Sequence, residues 1–272
     1  MQKSVRDTPA RLLAVLLVVT AAALALVGPA AAKDNETDRG QDQSQGDGNN
    51  DGKGKTPAVD YTETLLSNEL DTSRWAFVSE PVAAFSKPGE RGRKLRSLTR
   101  KTPENTSELV LTLRERVYSD GTVWTEVRLP IRSQRTGWIR RSALGEYRVV
   151  HSRIEIDRKL QTAKLFKNEQ LVWTAQVAVG NSRHATPAGN FYVRSRLVST
   201  DPQGRFGPYA IGLSAYAKSR SDWPGGKTIG IHGTNRPKTI PGATADPCVR
   251  VTNEKIRELF KLAPPGTPVK IL

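Results

Sequence analysis

The chain has 272 residues, with 42 Lys and Arg against 27 Asp and Glu, one Cys and three His. That length accommodates one or two domains. A single thiol excludes a disulfide framework and a cysteine-based zinc site, and the scattered His151, His184 and His232 make a poor metal set, so no metal is expected. The net charge of +15 calls for an anionic partner or setting.

Residues 1–32 read as an export signal. Lys3, Arg6 and Arg11 precede an uncharged, largely apolar run at residues 12–27, and Ala30, Ala31 and Ala32 supply small residues for cleavage. The run falls short of the roughly 18 residues of a spanning helix. No Cys lies near the cleavage point, which argues against a lipid anchor there. Residues 33–70 read as a disordered polar linker. Its first part, to residue 60, holds seven acidic and four basic residues and almost nothing apolar, too little to offset ordering entropy. The remainder is therefore more basic than the whole chain. Its Lys and Arg form no long run and no nucleic-acid recognition motif, so no nucleic-acid partner is expected. An unpaired thiol has no structural use outside the cell, which singles out Cys248.

Residues 71–147 alternate like strands. Residues 108–114 place Leu109, Leu111 and Leu113 on one face, Ser119-Asp120-Gly121 marks a hairpin, and alternation resumes over residues 122–129. Short strands at this spacing predict a small barrel or sandwich. The run VWTEVRLP followed by TGWIRRSAL resembles bacterial SH3-like domains of wall enzymes, which implies a targeting or spacing module.

Residues 148–272 form a second β-rich module. Strand patterns occupy residues 153–157, 162–166, 171–179 and 190–196. One helix is predicted after Thr252 or Asn253 as cap, with Ile256, Leu259 and Phe260 on one face and Pro264-Pro265-Gly266 as its stop. His232 stands sixteen residues before Cys248. A free thiol is mostly protonated at neutral pH, and a nearby imidazole can take its proton. Spacing alone leaves the alternative of a buried Cys with an unrelated His.

The segments VAVGNSRHATPAGNFYV, GPYAIGL, IHGTNRP, CVRVTN and GTPV together resemble the catalytic domain of L,D-transpeptidases of the YkuD family over nearly all of this module. The resemblance implies an all-β chain, an SH3-like barrel followed by a β-sandwich with one or two short helices and an open groove at the nucleophile. It implies Cys248 as nucleophile, His232 as base, and the Gly233 carbonyl as the group that holds the imidazole. Arg250, Tyr209, Thr234 and Asn235 fall at positions near the substrate groove. Arg250 has the alternative of buttressing the Cys loop, and Tyr209 that of core packing. Asn253 matches an Asn that begins a helix, where capping alone would explain it.

One stretch departs from the family pattern. Ser/Thr-His-Gly is expected before the Cys, and Ala245-Asp246-Pro247 stands here. Asp246 either replaces the second His as an acceptor or is a solvated turn residue. Pro247 brings no N–H to an oxyanion hole, which then rests on the Cys248 amide and at most one other donor. The implied activity is 3→3 cross-linking of peptidoglycan stem peptides by an exported monomer at the cell wall or the extracytoplasmic face of a bacterial membrane, with no metal or organic cofactor and with carbapenems as acylating inhibitors. An L,D-carboxypeptidase, or a non-catalytic wall-binding protein with a degenerate domain, is the alternative.

Overall fold

In this computed structural model the described residues are 61–218, 221–224 and 226–272. The expected signal at 1–32, and the linker up to residue 60, lie outside them. The first sheet is built from β1 (Tyr61–Leu65), β2 (Ser73–Phe77), β3 (Val82–Phe85), β4 (Lys94–Leu98), β5 (Leu109–Tyr118), β6 (Val123–Arg128), β7 (Thr136–Arg140) and β8 (Arg148–Val150). Its order is β4-β3-β7-β6-β5-β2-β8, with β1 paired antiparallel to the far end of β5. Ala76, Ala84, Leu98, Val110, Val127 and Ile139 come from six of these strands yet share one core, so the sheet must curl upon itself. The linker was expected to reach residue 70. Instead β1 pairs with β5 from Tyr61 to Leu65, Glu63 bonds Arg116 at 2.7 Å across the strands, and Asn68 Oδ1 closes the following turn on three backbone N–H groups.

The chain passes at His151 into the second sheet. Its strands are β9 (Ser152–Asp157), β10 (Thr162–Lys167), β11 (Gln170–Gln176), β12 (Ala178–Gly180), β13 (Gly189–Val198), β14 (Tyr209–Tyr216), β15 (Thr228–His232), β16 (Gly242–Thr244), β17 (Val249–Arg250) and β18 (Pro268–Ile271), in the order β11-β10-β9-β18-β13-β14-β15-β17-β12-β16. β13 belongs to two layers. Its first half pairs with β18, and after an irregularity between Val193 and Ser195 its second half pairs with β14. A strand that changes partners at a bulge is how sandwich corners are made. One core fills the space between the layers: Ile154, Ile156 and Leu165 from one, Ile211, Leu213, Ile229 and Ile231 from the other. The single α-helix among the described residues, α1 (Asn253–Leu262), closes it with Ile256 and Leu259.

β5 was read as burying one face, and it buries both. Val110 enters the first core, while Leu109, Leu111 and Leu113 pack with Trp75 and Val150 of the first sheet and with Tyr192 of the second. Polar groups satisfy this junction. The Tyr192 hydroxyl donates to the Leu109 carbonyl at 3.1 Å, and burial raises its pKa. Arg194 makes a two-pronged ion pair with Glu108, Nε to Oε1 at 2.7 Å, and its Nη1 reaches the Tyr216 hydroxyl. The side chains of Arg194 and Glu108 are 2% and 3% exposed. Burial alone would depress the Arg194 pKa, yet Glu108 outweighs it and the guanidinium is held charged. Glu108→Ala leaves that charge buried and unpaired, so it is expected to lower unfolding free energy by about 3–5 kcal/mol, read from denaturant midpoints. Replacing both partners with apolar residues of similar volume is expected to recover most of the loss.

Candidate active site

All five residues of β15 are buried. Alternation sends Ile229 and Ile231 into the core and leaves Gly230 and His232 on the opposite face. β17 runs parallel to it, with Ile231 opposite Val249 and His232 opposite Arg250. Val249 also enters the core, so Cys248 and Arg250 share the face of Gly230 and His232. Cys248 Sγ thus lies beside Gly230, whose N–H points to it at 3.5 Å, and diagonal to the imidazole. No hydrogen bond joins Sγ to His232 among the described residues, and His232 Nε2 is buried without a partner. The missing side chain at Gly230 is required, because a Cβ there would come within 2.0 Å of the Trp223 ring.

The open groove expected from sequence is closed. Cys248 is 0% exposed, packed with Trp223, Ala210 and Leu197. Phe206 stands edge-on to the His232 ring, centroids 4.9 Å apart, and to Trp223 at 6.4 Å. Trp223 is tied down from the first sheet, its Nε1 donating to Glu104 in the β4–β5 connection at 2.7 Å. Neighbouring Asp222 donates its amide to Asp246 Oδ2 at 3.1 Å and pairs its carboxylate with Arg205.

His232 Nδ1 lies 2.6 Å from the Gly233 carbonyl oxygen. A carbonyl only accepts, so the neutral ring carries its proton on Nδ1 and presents a lone pair at Nε2. Burial drives the imidazole pKa down to about 4, against the opposing pull of the Gly233 carbonyl. Burial also pushes the Cys248 thiol well up, with the nearby Asp246 charge adding to it. Both groups are therefore neutral in the sealed arrangement.

In the segment before the thiol, Asp246 is an acceptor and not a solvated turn residue. That side chain is buried, and its Oδ1 accepts the Cys248 amide at 2.7 Å. Burial would raise its pKa, but the Cys248 amide bond and those to Asp222 hold it low. The Cys248 N–H, expected as an oxyanion donor, is thus already occupied. Pro247 is buried, and its carbonyl accepts from Thr186 Oγ1 at 2.8 Å. Asn253 is not the helix cap. Thr252 caps α1 by accepting from Lys255 N–H, and Asn253 Oδ1 instead accepts the Thr234 amide at 2.8 Å, pinning the turn after His232. Gly207, at φ +63°, and Gly233 make room for this, since a Cβ on either would strike Asn253 Oδ1. Tyr209 turns away from the thiol, because its neighbour Ala210 occupies that face of β14. Its ring stacks on Phe260 of α1 at 4.4 Å. Thr234, Asn235 and Arg250 do converge, lining a polar pocket of about 260 Å³ with Arg205, Asp222 and Arg236.

Sequence reasoning passed over Trp223, Phe206 and Glu104, for which the chain carries no local signal. Thr186 had one, as the Thr of the Thr-Pro-Ala-Gly segment.

Two outcomes are expected. Trp223→Ala accelerates alkylation of Cys248 by iodoacetamide at least about tenfold, because local opening no longer has to lift the indole; an unchanged rate would mean another path to the sulfur. Neutral His232 also makes stability pH-dependent. As pH falls below about 6.5 the unfolded chain takes the proton first, so stability drops until about pH 4, by roughly 3 kcal/mol for this group. Denaturant midpoints at about pH 7.5 and 4.5 should diverge less in His232→Gln than in the parent.

The family model for the YkuD L,D-transpeptidase catalytic domain matches residues 151–271. The YkuD protein of Bacillus licheniformis is 34% identical over 119 residues, which cover 44% of this chain and 64% of that protein. The YkuD protein of Bacillus subtilis is 35% identical over 121 residues, covering 44% and 65%. The chain thus spans somewhat under two thirds of the length of these relatives. The catalytic domain of the E. faecium L,D-transpeptidase aligns at 22% identity with a TM-score of 0.33, over 44% of this chain and 96% of that one. By family model and curated relatives alike, residues 151–271 are similar to the L,D-transpeptidase catalytic domain of the YkuD type.

Proposed function

We propose that the protein is an exported peptidoglycan L,D-transpeptidase that acts through Cys248. The observation that carries this reading is the shared face of β15 and β17, where the only thiol of the chain lies diagonal to an imidazole whose Nε2 lone pair is free. When the aromatic cover lifts, water enters and both pKa values move toward their ordinary range. His232 Nε2 then takes the thiol proton, and the Gly233 carbonyl holds the imidazolium through Nδ1.

The thiolate attacks the carbonyl carbon of the third residue of a wall tetrapeptide, a diamino acid. The C–N bond to the terminal D-Ala breaks, and the amine leaves with the proton from His232. A side-chain amine of a neighbouring stem then attacks the thioester, passes its proton to His232 and releases the thiol, leaving a 3→3 cross-link. Water in place of the amine makes the same site an L,D-carboxypeptidase. Basic charge suits a wall rich in carboxylates and phosphates, and the residues at 1–32 suit export. The curled first sheet fits an SH3-like module that positions the catalytic domain, joined to it through Arg194–Glu108.

A second reading has its own support. The sealed sulfur, the occupied Cys248 amide and the missing N–H at Pro247 suit a non-catalytic wall-binding protein. Losing one oxyanion donor typically costs about 10²–10³ in rate. Incubation with a carbapenem followed by intact-mass measurement, alongside D-Ala release from a tetrapeptide donor, separates the two. The enzyme forms an adduct that Cys248→Ala abolishes, and His232→Ala lowers D-Ala release by at least about 10² while circular dichroism stays unchanged. Neither adduct nor D-Ala from folded protein leaves the wall-binding reading.

A further inference from the structure

We infer that the pocket formed by Arg205, Arg236 and Arg250 is a carboxylate subsite, which receives the free C-terminal carboxylate of the residue just beyond the bond cleaved at Cys248. The inference rests on the acyl-transfer reading for the direction of the peptide and deepens it. It stands on three observations at the pocket itself.

The first is placement. Arg250 is two residues beyond Cys248 on the same face, roughly 7 Å along an extended strand. A peptide presenting its carbonyl to Sγ puts the next carboxylate about one residue, roughly 3.5 Å, further on. A guanidinium reaching back from Arg250 covers that interval.

The second is charge. Three guanidinium groups line the pocket against the single carboxylate of Asp222, which is paired with Arg205. Arg236 is exposed and makes no ion pair among the described residues, and Arg250 Nε is buried with no hydrogen-bond partner. An anion is what such a donor set lacks, and a planar carboxylate matches the guanidinium fork.

The third is that the protein already places a carboxylate there. Asp222 sits on Arg205 in the manner proposed for the ligand, while its backbone N–H holds Asp246 Oδ2 and its neighbour Trp223 covers the sulfur. A peptide carboxylate arriving at Arg205 competes with Asp222, so the ligand that fills the pocket also loosens the residue next to the indole.

The test uses the full chain carrying Cys248→Ala, so that binding is read without turnover. A peptide ending in a free D-Ala carboxylate and the same peptide as its C-terminal amide are titrated by calorimetry. The acid is expected to bind at least about tenfold more tightly than the amide, as a charge-assisted bidentate contact requires. Arg205→Gln with Arg236→Gln should bring the two within about twofold, and Arg250→Lys should lose part of the preference because a point charge cannot reproduce the fork. Equal affinity for acid and amide, no binding of either, or a preference untouched by the variants overturns the subsite. Inorganic phosphate displacing the peptide at lower concentration than acetate would assign the pocket to phosphate and overturn it as well. A clear acid preference with neither a carbapenem adduct on the parent protein nor D-Ala release by it would keep the pocket as a carboxylate site and reject the acyl transfer.

Discussion

The parallel pairing of β15 with β17 is the constraint on which the site depends. It is a two-residue contact, Ile231 with Val249 and His232 with Arg250, yet it fixes which side chains share a face. Shifting it by one residue would send Cys248 into the aliphatic core and bring Val249 to the imidazole. Register is held from both sides: Ile229, Ile231, Val249 and Val251 anchor one face in the core, and the Val251 N–H bonds the His232 carbonyl at 3.0 Å. The remaining anchors act on the flanking turns. Thr186 holds the Pro247 carbonyl, Asp246 holds the Cys248 amide, and Asn253 holds the Thr234 amide. Each is a side-chain oxygen satisfying or extending a backbone group that the short strands leave open, which is why so small a pairing can be well defined.

Burial sets the chemistry of the resting state as firmly as it sets the geometry. Desolvation disfavours a thiolate and an imidazolium alike, so the pair stays neutral beneath Trp223 and Phe206. On the proposed reading, uncovering the sulfur would also make it easier to activate, because water reaching the pair restores the solvation on which charge separation depends. The Trp223–Glu104 bond gives the first sheet a hand in that event. An indole N–H cannot be left unpaired in a buried position without cost, so Glu104 favours the closed cover even though it lies far from Cys248 in sequence.

The elements of the second sheet were legible because the apolar pattern is strong: β9 and β10 alternate, and α1 shows its stop at Pro264-Pro265 and its cap at Thr252, one of the two residues the sequence offered. The His232-Gly233 turn and the lone Cys248 stood out as candidates for the same reason, since residue type and spacing are local properties. What could not be read were consequences of long-range packing. β5 buries two faces only because the second sheet supplies Tyr192. Tyr209 serves α1 because Ala210 takes the thiol side. Trp223 covers Cys248 only because a residue more than a hundred positions earlier holds its N–H. β1 was hidden by composition, its polar residues reading as linker until Arg114 and Arg116 provided partners for Glu63.

The Asp246-Pro247 pair brings these threads together. Pro247 removes an N–H and fixes φ just before the thiol, and Asp246 occupies the next amide, so the turn is rigid but presents no vacant donor where an oxyanion would form. Asp246 also accepts from Asp222, the residue paired with Arg205 and adjacent to Trp223. One carboxylate therefore links the state of the Cys248 amide to the state of the cover. A movement that draws Asp222 away from Arg205 removes one of the two N–H groups that hold Asp246 in place and weakens its hold on the other. On the proposed acyl-transfer reading, the donor the chemistry needs is withheld in the sealed form, and displacing Asp222 would free it, so the departure at residues 246–247 would couple opening to oxyanion binding.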